Sequence, residues 1–571
     1  MNRLLARTLA PWAALLALTS CAPTAVERAP VASPEARGVV SAADPRAAEA
    51  GRSILAAGGS AADAAIATAI ALTVVEPQSS GIGGGGFLVY HDVSKGLTSY
   101  DGREEAPSAA RPDLFLDASG KPRAGGEASI GGQAVGVPGN IRMFAMAHGR
   151  HGRLPWARLF EPAIRLARDG FVVTPRMARM VEGRTEAARL TPWGRATFFG
   201  AGESAKPAGT VVRNPELARL LEGVAARGAD WYYTGPPAQA LVRTVTTTRV
   251  NPSSMTLGDV ATYDAKQREV LCGAYRGHRI CGMGPPSSGG TTVFAILKQL
   301  ERFDLAAMGP NSPEAWHLIA ESMRLAYADR NAFIGDPEYT RVPVRGMMDP
   351  AYLASRSQLI RRDRALAQVA AGTPPGAPRV TSAIPGEVAG TSHMVATDRF
   401  GNVATLTSTI EAPWGSGLTV DGYYLNNEMT DFSFAPTQNG APVANRVEGG
   451  KRPLSSMSPT IVYGPDGRVR LAVGAAGGPT IIMQVAKAII GVVDWRMSAQ
   501  AAIAAPGMWI RGERIFVEEG TPLAAMVPRL TAMGHRVAAA PPPFKGNAIE
   551  RVGGRWVGAA DPRSEGVAVA E

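Results

Sequence analysis

The chain of 571 residues is 45% hydrophobic and 19% charged, the balance of a folded globular protein rather than a disordered one. Its net charge of +10 comes from scattered basic residues with no run of five or more, which argues against a nucleic-acid partner. Three cysteines are too few for a disulfide-built scaffold or a cysteine zinc finger.

Residues 1–20 open with Arg3 and Arg7 and continue into a short apolar stretch, Leu9 to Leu18. A bilayer-spanning helix needs ~20 apolar residues, so this segment reads as a secretion signal. Leu18-Thr19-Ser20-Cys21 resembles a bacterial lipobox, which implies a cut before Cys21 and a lipid on its thiol. Ordinary signal cleavage nearby is the alternative. Residues 21–37 are rich in Pro, Ala and Glu and suit a flexible tether. No later segment reaches ~18 uninterrupted apolar residues, so no further span is expected. The body would then lie in the periplasm, held to the membrane only by the lipid.

Residues 43–76 predict two helices. The first starts at Asp44 and stops at Gly58-Gly59; the second is capped by Ser60 and ends at Glu76-Pro77. The second is apolar nearly all round, so it is buried. Glycines between 81 and 86 precede a strand, Phe87–His91, with no helix following, so they are not a dinucleotide fingerprint. They read as backbone packed close to something. TSYDGRE reads as a strand, and helices are predicted after Pro138 and over 155–169. Cys272 and Cys281 mirror each other across a Tyr275-Arg276-Gly277 turn, either as a cross-strand disulfide or as two buried thiols. The loop GPPSSGGTT lacks the ending of a phosphate loop. Residues 361–390 read as an exposed, mobile linker. After Gly390 the texture turns β-rich, with helices over 478–505. Strands flanked by helices in two blocks suggest a layered α/β protein.

No Gly-x-Ser-x-Gly elbow and no His-Glu-x-x-His is present, so a serine hydrolase or zinc peptidase has little support. His148 and His151 read as a solvated turn rather than a metal site. No metal or organic cofactor is implied. What stands out is a Thr after a linker and a Gly, in Ala389-Gly390-Thr391-Ser392-His393. With DGREEAP (101–107), VGVPGN (135–140), PPSSGG (285–290) and GNVATLTST (401–409), the chain closely resembles the γ-glutamyltransferase family of N-terminal-nucleophile hydrolases. The series continues through LNNEMTDFS (425–433), KRPLSSMSPT (451–460), GAAGG (474–478) and ADPRSEG (560–566).

The resemblance implies a four-layer αββα sandwich made from two chains of one self-cleaved precursor. The large subunit would be residues 38–390 and the small catalytic subunit residues 391–571, cut between Gly390 and Thr391. The freed α-amine of Thr391, with an ordinary pKa near ~8, could serve as base toward its own hydroxyl. Position by position, Thr409 matches the residue that hydrogen-bonds the nucleophile. Gly477 and Gly478 match the oxyanion donors, with Pro479 where a small polar residue is usual. Arg103, Ser455 and Ser456 match a clamp on the donor's α-carboxylate. A purely structural reading would pair Arg103 with Glu104 or Glu105. Glu428 and Asp431 match residues that bind the α-ammonium. Glu411 stands where well-studied members have Asn, so three carboxylates would converge. Only 23 residues separate Asp431 from Ser455, which predicts a more open pocket.

The implied activity is γ-glutamyl hydrolysis or transfer, with glutathione the usual donor and water or an amine the acceptor. A cephalosporin or glutaryl acylase of the same fold is the first alternative. A non-catalytic binding lipoprotein is the second, and the Thr391, Thr409, Gly477 and Gly478 set counts against it.

Overall fold

The computed structural model describes residues 37–378 and 390–571. The signal segment, Cys21, nearly all of the tether and linker residues 379–389 lie outside the described residues.

The N-terminal helices form where capping predicts. Helix α1 (Pro45–Ala56) is capped by Asp44, and α2 (Ala61–Val75) by a reciprocal box between Ser60 and Asp63. Every residue of α2 is buried, as expected of a helix apolar nearly all round. Further helices are α3 (Asn140–His151), α4 (Glu161–Asp169), α5 (Gly289–Leu300), α6 (Pro313–Phe333), α7 (Thr480–Val493) and α8 (Ala499–Ala504). The single helix expected over 155–169 is a 3-10 turn, Trp156–Leu159, followed by α4. Pro162 belongs at a helix start, not an interior, so the chain restarts there.

Thirteen strands build two antiparallel sheets. They are β1 (Val39–Ala42), β2 (Gly85–Asp92), β3 (Gly96–Asp101), β4 (Lys266–Arg268), β5 (Val270–Tyr275), β6 (His278–Met283), β7 (Thr391–Thr397) and β8 (Val403–Thr409). The remainder are β9 (Thr460–Tyr463), β10 (Val469–Ala476), β11 (Lys545–Val552), β12 (Arg555–Ala560) and β13 (Val567–Ala570). The first sheet runs β13-β1-β7-β8-β2-β3-β4 and the second β12-β11-β10-β9-β6-β5. Each draws strands from both sides of Gly390. The period-2 alternation along β7 divides the core: Met394 and Ala396 pack on α1 and α2, whereas Val395 faces the second sheet and the α5–α7 side. Helices therefore cover the outer face of each sheet, giving the αββα order.

Cys272 and Cys281 are cross-strand partners on β5 and β6 and form a disulfide. Residues 361–378 carry no regular element but are not loose. Leu366 N donates to Glu321 at 2.7 Å, and Gly372 N to Asp329 at 2.7 Å. The HGRHG segment is not a solvated turn either. His151 ends α3 buried, 2.7 Å from the Tyr100 hydroxyl and stacked on Tyr90, and burial pulls its pKa down to about 4. Among the described residues no helix is long and apolar enough to cross a membrane.

Candidate active site

Strands β7 and β8 pair in a register that sets Thr391 directly opposite Thr409. Both are buried at the end of the central strands of the first sheet. Thr391 Oγ1 lies 2.7 Å from Gly390 O and 3.2 Å from Thr409 Oγ1. Thr409 Oγ1 also donates to Gly390 O at 2.7 Å and accepts from Glu411 N at 2.8 Å. The Gly390 carbonyl thus receives two hydroxyls. At Gly390 itself the visible requirement is space, because a Cβ would lie 2.4 Å from Glu411 O.

The glycine run supports this strand end. A Cβ on Gly84 would sit 1.9 Å from Thr409 O, and one on Gly86 2.5 Å from Thr407 O. The close packing expected of these glycines is therefore against the backbone that carries Thr409.

Of the predicted catalytic and donor-binding residues, Thr391, Thr409, Gly478, Arg103, Glu411, Glu428, Asp431, Ser455 and Ser456 line one cavity together with Met457 and Ile481, whereas Gly477 and the cleavage-site Gly390 do not line it. Gly477 precedes Gly478 in the turn from β10 to α7, at φ 127° and 59°, a backbone that favours glycine at both positions. Pro479 follows at φ −57°, which suits a helix start.

Arg103 is fully buried between two acids. Its Nη1 donates to Glu428 and its Nη2 to Asp431, while Nε and Nη2 also reach Pro453 O and Leu454 O at 3.1 and 2.8 Å. Glu104 lies 3.6 Å from Nη1, and Glu105 instead pairs with Arg452 at 2.8 Å. Burial outweighs Arg103 at Glu104, whose pKa rises to about 7. Burial, then the Glu104 charge, pushes Glu428 well above the usual carboxylate range.

Glu411 enters the same cavity from a left-handed backbone, φ 72°, and accepts a hydrogen bond from Asn427. Ser456 Oγ accepts from Arg330 at 2.6 Å, and Ser455 O accepts from both Ser288 N and Ser288 Oγ at 2.8 Å. The PPSSGG loop thus props up the serine pair. The short connection from Asp431 to Ser455 does not leave the acids exposed: the cavity is narrow and its charged lining is buried.

Sequence reading named Glu104 only as a pairing partner for Arg103, and missed Asn427 and Arg330. Each adjoins a predicted residue in chain or space, and only Glu104 and Asn427 stand within the quoted motifs. It also missed a buried cluster beside Thr391, where Lys545 Nζ lies 2.6 Å from Glu76 and Ser392 donates to the same carboxylate.

A family model described as gamma-glutamyltranspeptidase matches residues 47–571. The chain belongs to the γ-glutamyltranspeptidase family. It is 37% identical over 550 residues to a glutathione hydrolase proenzyme of Bacillus subtilis (strain 168), covering 93% of this chain and 91% of that one. It is 34% identical over 543 residues to an acylase ACY 1 proenzyme of Pseudomonas sp. (strain SE83), covering 94% and 93%. The crystal structure of a cephalosporin acylase from Bacillus halodurans superposes with a TM-score of 0.82 at 25% identity, covering 97% of this chain and 99% of that one. Membership of the γ-glutamyltranspeptidase family makes the chain an enzyme of the N-terminal-nucleophile hydrolase fold, in agreement with the paired sheets.

Proposed function

We propose that the chain cuts itself between Gly390 and Thr391, and that Thr391 then carries a γ-glutamyl ester to water or an amine. The observation that carries this reading is the convergence of the Thr391 and Thr409 hydroxyls on the Gly390 carbonyl. In self-cleavage Thr391 Oγ1 adds to that carbonyl carbon, the Gly390–Thr391 C–N bond breaks, and the nitrogen takes up a proton. Water then hydrolyses the ester, leaving a Gly390 carboxylate and a free Thr391 amine.

In turnover the amine takes the proton from Thr391 Oγ1 as the oxygen attacks the donor's γ-carbonyl. The Gly477 and Gly478 N–H groups are assigned to the developing oxyanion, and the leaving amine departs with the transferred proton. Water or a second amine completes the cycle.

A zwitterionic α-amino acid head suits the cavity chemistry. Its carboxylate would take Arg103 and the Ser455 and Ser456 hydroxyls; its ammonium would take Glu428 and Asp431, with Glu411 adding negative charge. The Arg103 pairs with Glu428 and Asp431 hold these opposite charges together until the zwitterion exchanges with them. Glutathione fits as a γ-glutamyl donor. Similarity to the two acylases favours side-chain deacylation as the second reading. Incubating the protein with γ-glutamyl and glutaryl anilides decides between them; faster glutaryl hydrolysis overturns the first reading.

The Cys272–Cys281 disulfide and the Cys21 motif support a periplasmic, lipid-anchored protein. Cys21→Ala should move the protein from the membrane to the soluble fraction, and unchanged membrane retention would count against the anchor.

A further inference from the structure

We infer that Thr480 and Gln484 are positioning residues that aim the two oxyanion donors, an inference that rests on the acyl-transfer reading. Between β10 and α7 the chain runs Ala476-Gly477-Gly478-Pro479. A trans peptide is planar, with its C=O and its N–H pointing in opposite directions, so fixing the oxygen aims the hydrogen. The Gly477 N–H shares a plane with the Ala476 carbonyl, and the Gly478 N–H with the Gly477 carbonyl.

Each of these oxygens is held by a side chain near the start of α7. Gln484 Nε2 donates to Ala476 O at 2.7 Å, and Thr480 Oγ1 donates to Gly477 O at 2.8 Å. Gln484 Nε2 also donates to Thr480 Oγ1 at 3.0 Å, which directs the hydroxyl proton toward Gly477. Lys545 N donates to Gln484 Oε1 at 3.0 Å and so fixes which end of the amide is the donor. Both side chains are buried. From the other side, the Tyr327 hydroxyl donates to Pro479 O.

Two adjacent glycines are the softest backbone a chain can offer. An oxyanion hole is effective when its donors are fixed before charge develops. The network supplies what the glycines lack, and it does so where Pro479 contributes no N–H of its own. The Gly390 carbonyl, by contrast, takes its hydrogen bonds from Thr391 and Thr409. The two steps therefore depend on different groups, and Thr480 and Gln484 belong to turnover.

The test uses the full chain. Thr480→Val removes the hydroxyl at nearly constant shape, Thr480→Ser keeps it, and Gln484→Glu replaces the amide donor with an acceptor. Thr480→Val and Gln484→Glu should still mature into two pieces. Their kcat on a γ-glutamyl anilide should fall about 10- to 100-fold with KM within about threefold, and Thr480→Ser should retain most of the activity. Wild-type kcat in both variants overturns the inference. So does a loss that Thr480→Ser shares, or arrest of both variants as uncleaved chains, since the network would then serve folding or cleavage. If Thr391→Ala still turns over the anilide, the acyl-transfer reading itself fails and the inference falls with it.

Discussion

Thr409 stands opposite Thr391 on the neighbouring strand, and both hydroxyls reach the Gly390 carbonyl oxygen at 2.7 Å. One is the nucleophile of the proposed cleavage; the other polarises the bond it attacks. Thr391→Ala should therefore stay a single chain. Thr409→Val should cut at least about tenfold more slowly, because a charge-stabilising donor is lost, and Thr409→Ser should cut nearly normally. Electrophoresis of the purified protein over time reads both. Two pieces from Thr391→Ala would remove the nucleophile assignment.

Gly390 is held to a side chain of hydrogen by its surroundings. A Cβ there would meet Glu411 O at 2.4 Å and the backbone at Ala412 and Pro413. These atoms are backbone of one continuous segment, 411–413, which gives way less readily than a side chain, so Gly390→Ala should displace the carbonyl from the two hydroxyls. Maturation should slow while the fold melts within a few degrees of the wild type. Normal maturation would show that the carbonyl position is not critical.

Glu104 gives the protein a pH signature. Its pKa rises from the ordinary 4.5 to about 7, chiefly through burial. A carboxyl with a raised folded pKa binds its proton more tightly in the folded state. Its favourable contribution is complete below pH 4.5 and is lost as pH rises through about 7, on the order of 3 kcal/mol. Relative to the wild type, Glu104→Gln should be similarly stable at pH 4.5 and more stable at pH 8. Urea midpoints at the two pH values check this, and a wild-type difference identical to that of the variant would reject it.

Arg103 carries structural as well as binding weight. The sequence reading treats it as a donor clamp, but in the fold it is also the counter-ion of Glu428 and Asp431. Removing one partner of a buried ion pair typically costs ~3–5 kcal/mol. Arg103→Gln should therefore lower stability and raise the donor KM together. Arg103→Gln combined with Glu428→Gln should recover part of the stability but not the donor affinity. Recovery of both would make Arg103 structural only.

The residues that meet in the cavity were largely legible before the fold. Thr391, Thr409, Glu428, Asp431 and the serine pair sit in motifs whose order carries the resemblance, and the β-rich texture after Gly390 is the texture of the strands that carry the two threonines. The support behind them was not legible. Gln484 and Lys545 each stand in apolar or Pro-rich stretches; Gln484 meets Lys545 across 61 residues of chain, and Lys545 meets Glu76 across 469. Hydrophobic periodicity reports which face is buried, not which buried polar group will find a partner. His151 shows the same limit, since its local sequence is turn-like and its aromatic partners lie on β2 and β3.

Glu411 is where strain and charge meet. A non-glycine residue at φ 72° costs roughly 1–2 kcal/mol, and Asn tolerates that region better than Glu. Glu411 also adds a carboxylate to a cavity already lined by Glu428 and Asp431, and its charge helps raise Glu428. An α-ammonium on the donor offsets this excess; a glutaryl group lacks one. Like charges ~4–6 Å apart cost on the order of 3–4 kcal/mol at an effective dielectric near 20, before screening. Arg184 faces Glu411 and feels its charge, which reduces the excess without cancelling it. The wild type should thus prefer γ-glutamyl over glutaryl anilides by at least about tenfold, or ~1.4 kcal/mol. Glu411→Asn should narrow that preference by lowering the γ-glutamyl rate relative to the glutaryl rate, and should raise the melting temperature by relieving the backbone. If the preference is unchanged while the melting temperature rises, Glu411 acts on the fold and not on the donor. If the wild type prefers glutaryl donors, the excess negative charge does not govern selectivity and the acylase reading prevails.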